Sequence, residues 1–325
     1  MEISVVVPSY NAGQKIGRCV EALLQQDFPR ANYEIIVVDD GSTDGTVDSL
    51  SRYPINVVRQ KHMGPAAARN LGARASKGKI IAFTDADCAP KKNWLSTLLS
   101  NFADPSVGGV GGSYETGNRE SVLARTIGYE IADKHDNMPS SVDFIGSFNC
   151  AYRRDAFEKA GGFDVSFQIA SGEDNDLSYR IFSMGYRLLF DRRAVVVHDH
   201  PTKVLNYLSK QLKHAMWRVM LYKKHPNRIR GDVYAGLSPR VQLALYGFLL
   251  LGLILSLFFS WVLFASAALL MILFLSNLPI ALRIYGKSRD FRCFFLALSI
   301  FFLRGFAWMI GVAAGVIRFL AKRSN

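Results

Sequence analysis

The sequence predicts an α/β domain built on a mostly parallel sheet, followed by an α-helical membrane region. Three observations carry this expectation. Short β-branched apolar runs alternate with helical segments over the first ninety residues. Charge is unevenly divided: residues 1–200 hold 22 Lys+Arg against 25 Asp+Glu, whereas residues 201–325 hold 17 against 2. The 42 residues between Arg240 and Arg283 carry no formal charge. Half of the chain is apolar and a fifth is charged, which excludes a disordered polymer. Four scattered cysteines (Cys19, Cys88, Cys150, Cys293) form no C-x-x-C pair, so reduced thiols are expected and a disulfide scaffold or zinc site is not. The net charge of +12 does not mark a nucleic-acid binder, because the excess flanks apolar runs, where cations act as topology signals.

Taken in order, residues 3–7 form a short β-branched run suited to a buried parallel strand. Residues 14–26 read as a helix, 34–39 as a strand, then a Gly-Ser-Thr-Asp turn and a helix follow. Residues 55–59 give a third strand, 64–76 an Ala-rich helix, and 79–84 a fourth strand. Strands joined by crossover helices make a parallel sheet, and such sheets bind ligands beyond their carboxyl ends. Those ends carry Pro8-Ser9-Tyr10-Asn11, Asp39-Asp40-Gly41-Ser42 and Asp85-Ala86-Asp87. Clustered carboxylates need donors or a cation, because burying unpaired charge is costly. Two aspartates one residue apart suit a hard divalent ion whose shell substrate phosphates complete. There is no P-loop and no G-x-G-x-x-G, so a nucleotide would be held by carboxylate bonds and metal-bridged phosphates.

Five blocks in order carry a resemblance: Val5-Val6-Val7-Pro8-Ser9-Tyr10-Asn11; Val37-Val38-Asp39-Asp40-Gly41-Ser42-Thr43-Asp44; Gly64-Pro65-Ala66-Ala67-Ala68-Arg69-Asn70; Thr84-Asp85-Ala86-Asp87; and Gly146-Ser147-Phe148-Asn149 leading through Gly161-Gly162-Phe163-Asp164 to Glu173-Asp174-Asn175-Asp176-Leu177. Residues 1–200 thereby resemble the family 2 glycosyltransferases of the GT-A fold. The resemblance implies that Asp40, with backbone near Pro8 and the adjoining Tyr10, meets the nucleotide base. It places Arg69 near the nucleotide or diphosphate. Asp85 and Asp87 match the D-x-D pair that holds Mn2+ or Mg2+, Asp87 the more direct ligand. Asp174 matches the general base, with Glu173 in support or at the acceptor. His198 is read either as a further metal ligand or as an edge histidine held by hydrogen bonds. Asp44 reads as a helix-terminal charge, Asp176 and Arg180 as a structural pair, and Trp94 as either a packing residue or an acceptor contact.

In the membrane half, the uncharged run is long enough for two spans, about 241–260 and 262–282, and leaves no helix face for water. A third apolar stretch, 293–317, is interrupted by Arg304 and reads as a broken or re-entrant segment; Arg304 is either a lipid-phosphate contact or an interhelical residue. Nine Lys+Arg between 201 and 240, and Arg283, Lys287, Arg289 and Arg292, place both flanks of the hairpin in the cytoplasm. Arg318, Lys322 and Arg323 would share that side, which a single third span denies them. Residues 203–222 form an amphipathic stripe, expected at the headgroup level or packed on protein. Met1-Glu2 leads straight into the first strand, so no signal peptide is expected.

The expected organisation is therefore a catalytic domain over 1–200, a basic interfacial linker over 201–240 and membrane helices over 241–325. The expected activity is inverting transfer from a nucleotide sugar to a lipid-linked or glycan acceptor, by an integral membrane protein of the cell or inner membrane with its catalytic domain in the cytoplasm. A processive polysaccharide synthase and a non-catalytic nucleotide-binding scaffold are the alternatives. Processive relatives carry Q-x-x-R-W before the membrane, whereas here Gln211 is followed by Leu212-Lys213-His214 and Ala215-Met216-Trp217-Arg218, which does not fit.

Overall fold

The computed structural model describes residues 1–13, 15–230 and 238–320. The chain divides into two compact units, Met1–Gly117 with His135–Asp199, and Asn118–Lys134 with His200–Asn325. Residues 118–134, placed above within the catalytic segment, group with the helical unit.

In the first unit, β1 (Ile3–Ser9), α1 (Lys15–Leu24), β2 (Tyr33–Asp39), α2 (Thr46–Leu50), β3 (Asn56–Arg59), α3 (Pro65–Ala75) and β4 (Ile80–Thr84) follow the predicted alternation. After β5 (Cys88–Pro90), α4 (Trp94–Ser100) and β6 (Val107–Thr116), the chain departs through α5 (Val122–Asp136). It returns in β7 (Ser141–Val142), β8 (Asn149–Arg153), α6 (Arg154–Lys159), α7 (Glu173–Ser183) and β9 (Arg187–His198). The sheet order is β3-β2-β1-β4-β8-β6-β9-β5, with β7 also on β9. The β3-β2-β1-β4 half is parallel; β8 runs antiparallel to both β4 and β6, which restores direction so that β9 lies parallel to β6. The carboxyl ends of β1, β2, β4 and β9 consequently share one edge. Beneath it, Ile3, Val5, Val7, Ile35, Val37 and Ala82 pack with Ile16, Val20 and Leu23 of α1. Each such aliphatic side chain removed from water contributes about 1.5–3 kcal/mol, which holds β1 and β2 as interior strands of the sheet.

In the second unit, α8 (Val204–Lys224), α9 (Ser238–Leu255), α10 (Trp261–Leu275), α11 (Leu278–Ser288) and α12 (Phe291–Gly315) gather with α5. Two stretches are long and apolar enough to cross a membrane, Trp261–Ser288 and Phe291–Leu320, and Arg240–Leu255 is a shorter apolar helix. α12 runs unbroken through Arg304, so the expected break is absent. The reason is that the guanidinium is paired: Arg304 Nη1 donates to both carboxylate oxygens of Glu130 on α5, at 2.8 and 2.9 Å, and to the Tyr207 hydroxyl at 3.2 Å. Phe301 and Trp308 flank it, 4.2 and 4.7 Å from the guanidinium carbon to the ring centres. Further pairs join α5 to α11 and to the start of α12: Arg125 with Asp290 at 2.7 Å, and Asp133 with Arg283 at 2.8 Å and Lys287 at 3.7 Å. Lys322 and Arg323, named above as topology signals, lie outside the described residues.

Candidate active site

The β1–β2 register sets Ser9 beside Asp39, and the Asp40 amide donates to the Ser9 carbonyl at 2.8 Å. Asp40 is buried and its carboxylate is fully engaged by the segment that precedes α3. It accepts from Gln60 Nε2 at 2.6 Å, from the Met63 and Gly64 amides at 2.9 Å, and lies 2.9 Å from His62 Nδ1. Asp40, expected to meet the base, is held in place by these bonds from its own loop. Its neighbour Asp39 is wholly buried; Oδ1 accepts from the Ser42 amide, while Oδ2 has no hydrogen-bond partner and only the Arg59 guanidinium at 3.5 Å. A buried acceptor of this kind is expensive unless a ligand meets it. Pro8 is partly buried on β1 opposite Val38. Tyr10 is exposed and stacks on His62 with ring centres 4.0 Å apart, forming an aromatic platform at this end of the edge.

The second group forms where β4 ends. Arg69 projects from α3 and is 1% exposed. Its Nη2 donates to Asp85 Oδ1 at 2.8 Å and its Nη1 to Glu173 Oε1 at 2.9 Å. Expected near the nucleotide or diphosphate, it joins the D-x-D segment to the Glu-Asp segment through both terminal nitrogens, with the Phe163 ring beneath. Gly172, at φ +98, makes the left-handed turn into α7 that presents Glu173 and Asp174 in its first turn. A Cβ there would come within 2.9 Å of the Phe167 ring, so any other residue is excluded sterically as well as conformationally.

Glu173 is buried and Asp174 partly exposed. Asp174 accepts from the Asn175 amide at 2.9 Å and more weakly from the Ser147 amide at 3.4 Å. Burial raises the Asp174 carboxyl above the ordinary range, opposed by the charge of Arg69. Burial, reinforced by Asp174, raises Glu173 too, again against Arg69. A folded-state acid with a raised pKa contributes stability that is complete below its unfolded value and lost as pH climbs through the folded one. Relative to Glu173→Gln, the metal-free wild-type protein should thus lose stability as pH rises above 4.5. Melting curves from pH 4 to 8 that run parallel for the two proteins would refute this.

The third group depends on sheet register. β5 and β9 pair so that Cys88 faces His198, and His198 Nε2 lies 3.5 Å from Asp87 Oδ2. Asp87, Cys88 and His198 offer ligand atoms within 4.8 Å of one another. Burial and the neighbouring Asp85 and Asp87 charges hold the Cys88 thiol well above its usual pKa, hence protonated. The available donors are then a carboxylate, which suits manganese or magnesium, and an imidazole, which favours a transition metal over magnesium. The partly exposed Asp87 is accessible from outside the protein, whereas Asp85 is turned to Arg69.

The surrounding residues resolve as follows. Asp44 accepts from the Thr46 amide and hydroxyl at the start of α2. Asp176 pairs with Arg180 one helical turn on, at 2.6 Å. Trp94 is fully buried and its Nε1 donates to Asn149 Oδ1 at 2.7 Å, so it belongs to the core. The sequence reading missed Asp39 as a ligand candidate and the roles of His62 and Gln60 in holding Asp40; the Asp-Asp pair itself was the available signal, but not which member faced inward.

A doubly crossed α/β sheet of this order, with acidic side chains from three segments at one edge and no P-loop, defines the GT-A class of nucleotide-sugar glycosyltransferases. Comparison with known proteins agrees. Residues 4–161 match the model of Glycosyl transferase family 2. Glycosyltransferase AglE of Haloferax volcanii is 30% identical over 223 residues, spanning 64% of this chain and 70% of that protein. Pre-mycofactocin glycosyltransferase of Mycobacterium tuberculosis is 30% identical over 256 residues, 72% of this chain but only half of the relative's length. Among solved structures, mannosyltransferase PcManGT of Pyrobaculum calidifontis, in complex with GDP-Man and Mn2+, superposes with a TM-score of 0.62 at 24% identity, covering 97% of this chain and 87% of that one. The chain belongs to family 2 and is a glycosyltransferase that takes its sugar from a nucleotide sugar.

Proposed function

We propose that the protein is a membrane-bound, inverting, metal-dependent glycosyltransferase that passes a sugar to a lipid-linked or glycan acceptor, with its catalytic unit in the cytoplasm. The observation that carries this reading is the Arg69 bridge, which brings the D-x-D and Glu-Asp segments to one place. The Mn2+ bound to PcManGT supports the metal assignment. Asp39 Oδ2 accepts an N–H from the base, and Tyr10 over His62 supplies an apolar face against it. Asp174 takes the proton from the acceptor hydroxyl. Its raised pKa strengthens it as a base, and the Asn175 and Ser147 amides fix its direction. One base and one displacement invert the anomeric centre. Asp87, with His198, holds the divalent cation, with Asp85 set behind them by Arg69. When bound, that ion neutralises charge developing on the leaving diphosphate. The basic clusters around the apolar helices support an acceptor that carries phosphate and lipid.

A panel of nucleotide sugars with manganese or magnesium tests this. One donor should raise the melting temperature of the wild-type protein, by the equivalent of about 2.7 kcal/mol at a hundred times its Kd. Asp87→Ala should lose that stabilisation, and full retention would remove Asp87 from the metal site.

A further inference from the structure

Resting on the membrane-bound reading above, we propose that α12 does not cross the bilayer but lies along its cytoplasmic surface, with one face seated in lipid. The reason is what packs against it. α8 runs beside the second half of α12, from Arg304 onward. The Tyr207 hydroxyl meets Arg304, and Gln211 accepts from Trp308 Nε1 at 3.0 Å. A Cβ on Gly311 would come within 2.3 Å of the Leu212 carbonyl, and one on Gly315 within 2.6 Å of the Met216 carbonyl. Arg318 then lies over the Trp217 ring, and Lys223 donates to the Phe319 carbonyl at 2.8 Å. The two helices advance together and in the same direction.

α8 cannot enter hydrocarbon. Lys203, Lys210, Lys213, Lys223 and Lys224 are all exposed along it. At 1.5 Å per residue, the longest gap between these lysines spans about 15 Å, half of the roughly 30 Å of a hydrocarbon core. An upright α12 would therefore carry exposed lysines of α8 into the apolar layer at some depth, where a charged side chain is costly. α5 adds Arg125, Glu130 and Asp133 against the first half of the helix assembly.

The opposite face of α12 is apolar and uncovered. Phe295, Leu303, Ile310 and Ile317 are 63, 43, 53 and 68% exposed and recur at steps of seven and eight, one side of a helix. A helix with charged partners on one side and this stripe on the other fits the boundary between headgroups and acyl chains. Laid flat, it also keeps Arg292 and Arg318 on the same side as the clusters at 201–240 and 283–292, so the positive charges all remain cytoplasmic. Only the α9–α10 hairpin, uncharged after Arg240, then enters the bilayer.

The full-length protein in sealed vesicles, catalytic unit outward, decides the question. All four native cysteines are buried, so single cysteines can be added directly. Gly286→Cys, at an open helical position, and Arg318→Cys flank the segment. Both should react with a membrane-impermeant maleimide before permeabilisation. Reaction of Arg318→Cys only after permeabilisation would overturn the flat arrangement. Bimane placed at Phe295→Cys, Leu303→Cys and Ile310→Cys should be quenched to similar extents by a headgroup-level nitroxide lipid. A graded depth would indicate a span, and absence of quenching would indicate that protein, including a second copy of this chain, covers the stripe. Either result overturns the proposal. Release of the protein by alkaline carbonate without detergent would instead defeat the membrane-bound reading itself.

Discussion

Asp174→Asn should reduce kcat by about a thousandfold, within the range ascribed to a general base, while nucleotide-sugar affinity stays unchanged. Asparagine has the same shape and keeps one acceptor oxygen for the Asn175 amide at 2.9 Å, so α7 retains its first turn; only the weak 3.4 Å bond from the Ser147 amide to the other oxygen is lost. What is lost is the basic oxygen. Glu173 cannot replace it, because that carboxylate is 1% exposed and one of its oxygens is held by Arg69. Turnover in single-sugar transfer and calorimetric binding of the donor separate the two effects. Turnover near that of the wild-type protein would remove Asp174 from the mechanism.

Arg69→Met should destabilise the first unit by about 3–5 kcal/mol, the cost of removing one partner from a buried ion pair. The loss is large because one guanidinium serves two carboxylates, Asp85 and Glu173, and the Phe163 ring packs against it. Arg69→Lys should recover only part of it, since an ammonium cannot span both oxygens with a fixed fork. Adding Glu173→Gln to Arg69→Met should restore part of the stability by removing one of the stranded charges. The four proteins form a cycle whose coupling energy is read from thermal or denaturant unfolding. Strict additivity, or a loss under 1 kcal/mol for Arg69→Met, would show that the bridge is not what holds the two segments together.

The parallel half of the sheet was legible because β1, β2 and β4 are unbroken β-branched runs followed by polar strand ends. The remainder was not. β6 begins Val-Gly-Gly-Val-Gly-Gly, whose glycines dilute its strand propensity, and β5 and β7 are too short to give a period. The Asp87–His198 approach depends on β5–β9 pairing across more than a hundred residues, so the sequence left His198 open between ligand and edge residue. Residue types at the site were readable; their orientation was not. Asp39 and Asp40 are adjacent and chemically identical, and only backbone direction decides that one binds its own loop while the other has a buried oxygen without a hydrogen bond. Likewise, an arginine in an Ala-rich helix gives no sign that its partners are carboxylates from two distant segments. Arg304 shows the same limit: the cost of its charge was predictable, but not its payment by Glu130 of α5.

The membership of α5 in the helical unit means that the chain passes between the two units more than once. Leu123 and Ile127 lie in an apolar cluster with Ala281, Ile284, Ala297 and Phe301, and Arg125, Glu130 and Asp133 find their counter-charges there. No single cut releases an intact enzyme head. A fragment ending at residue 199 keeps a greasy, charged arm stripped of its mates, and grafting the sheet onto another anchor would require transplanting the receiving surface as well. The transferase unit and the helical unit are inherited as one piece.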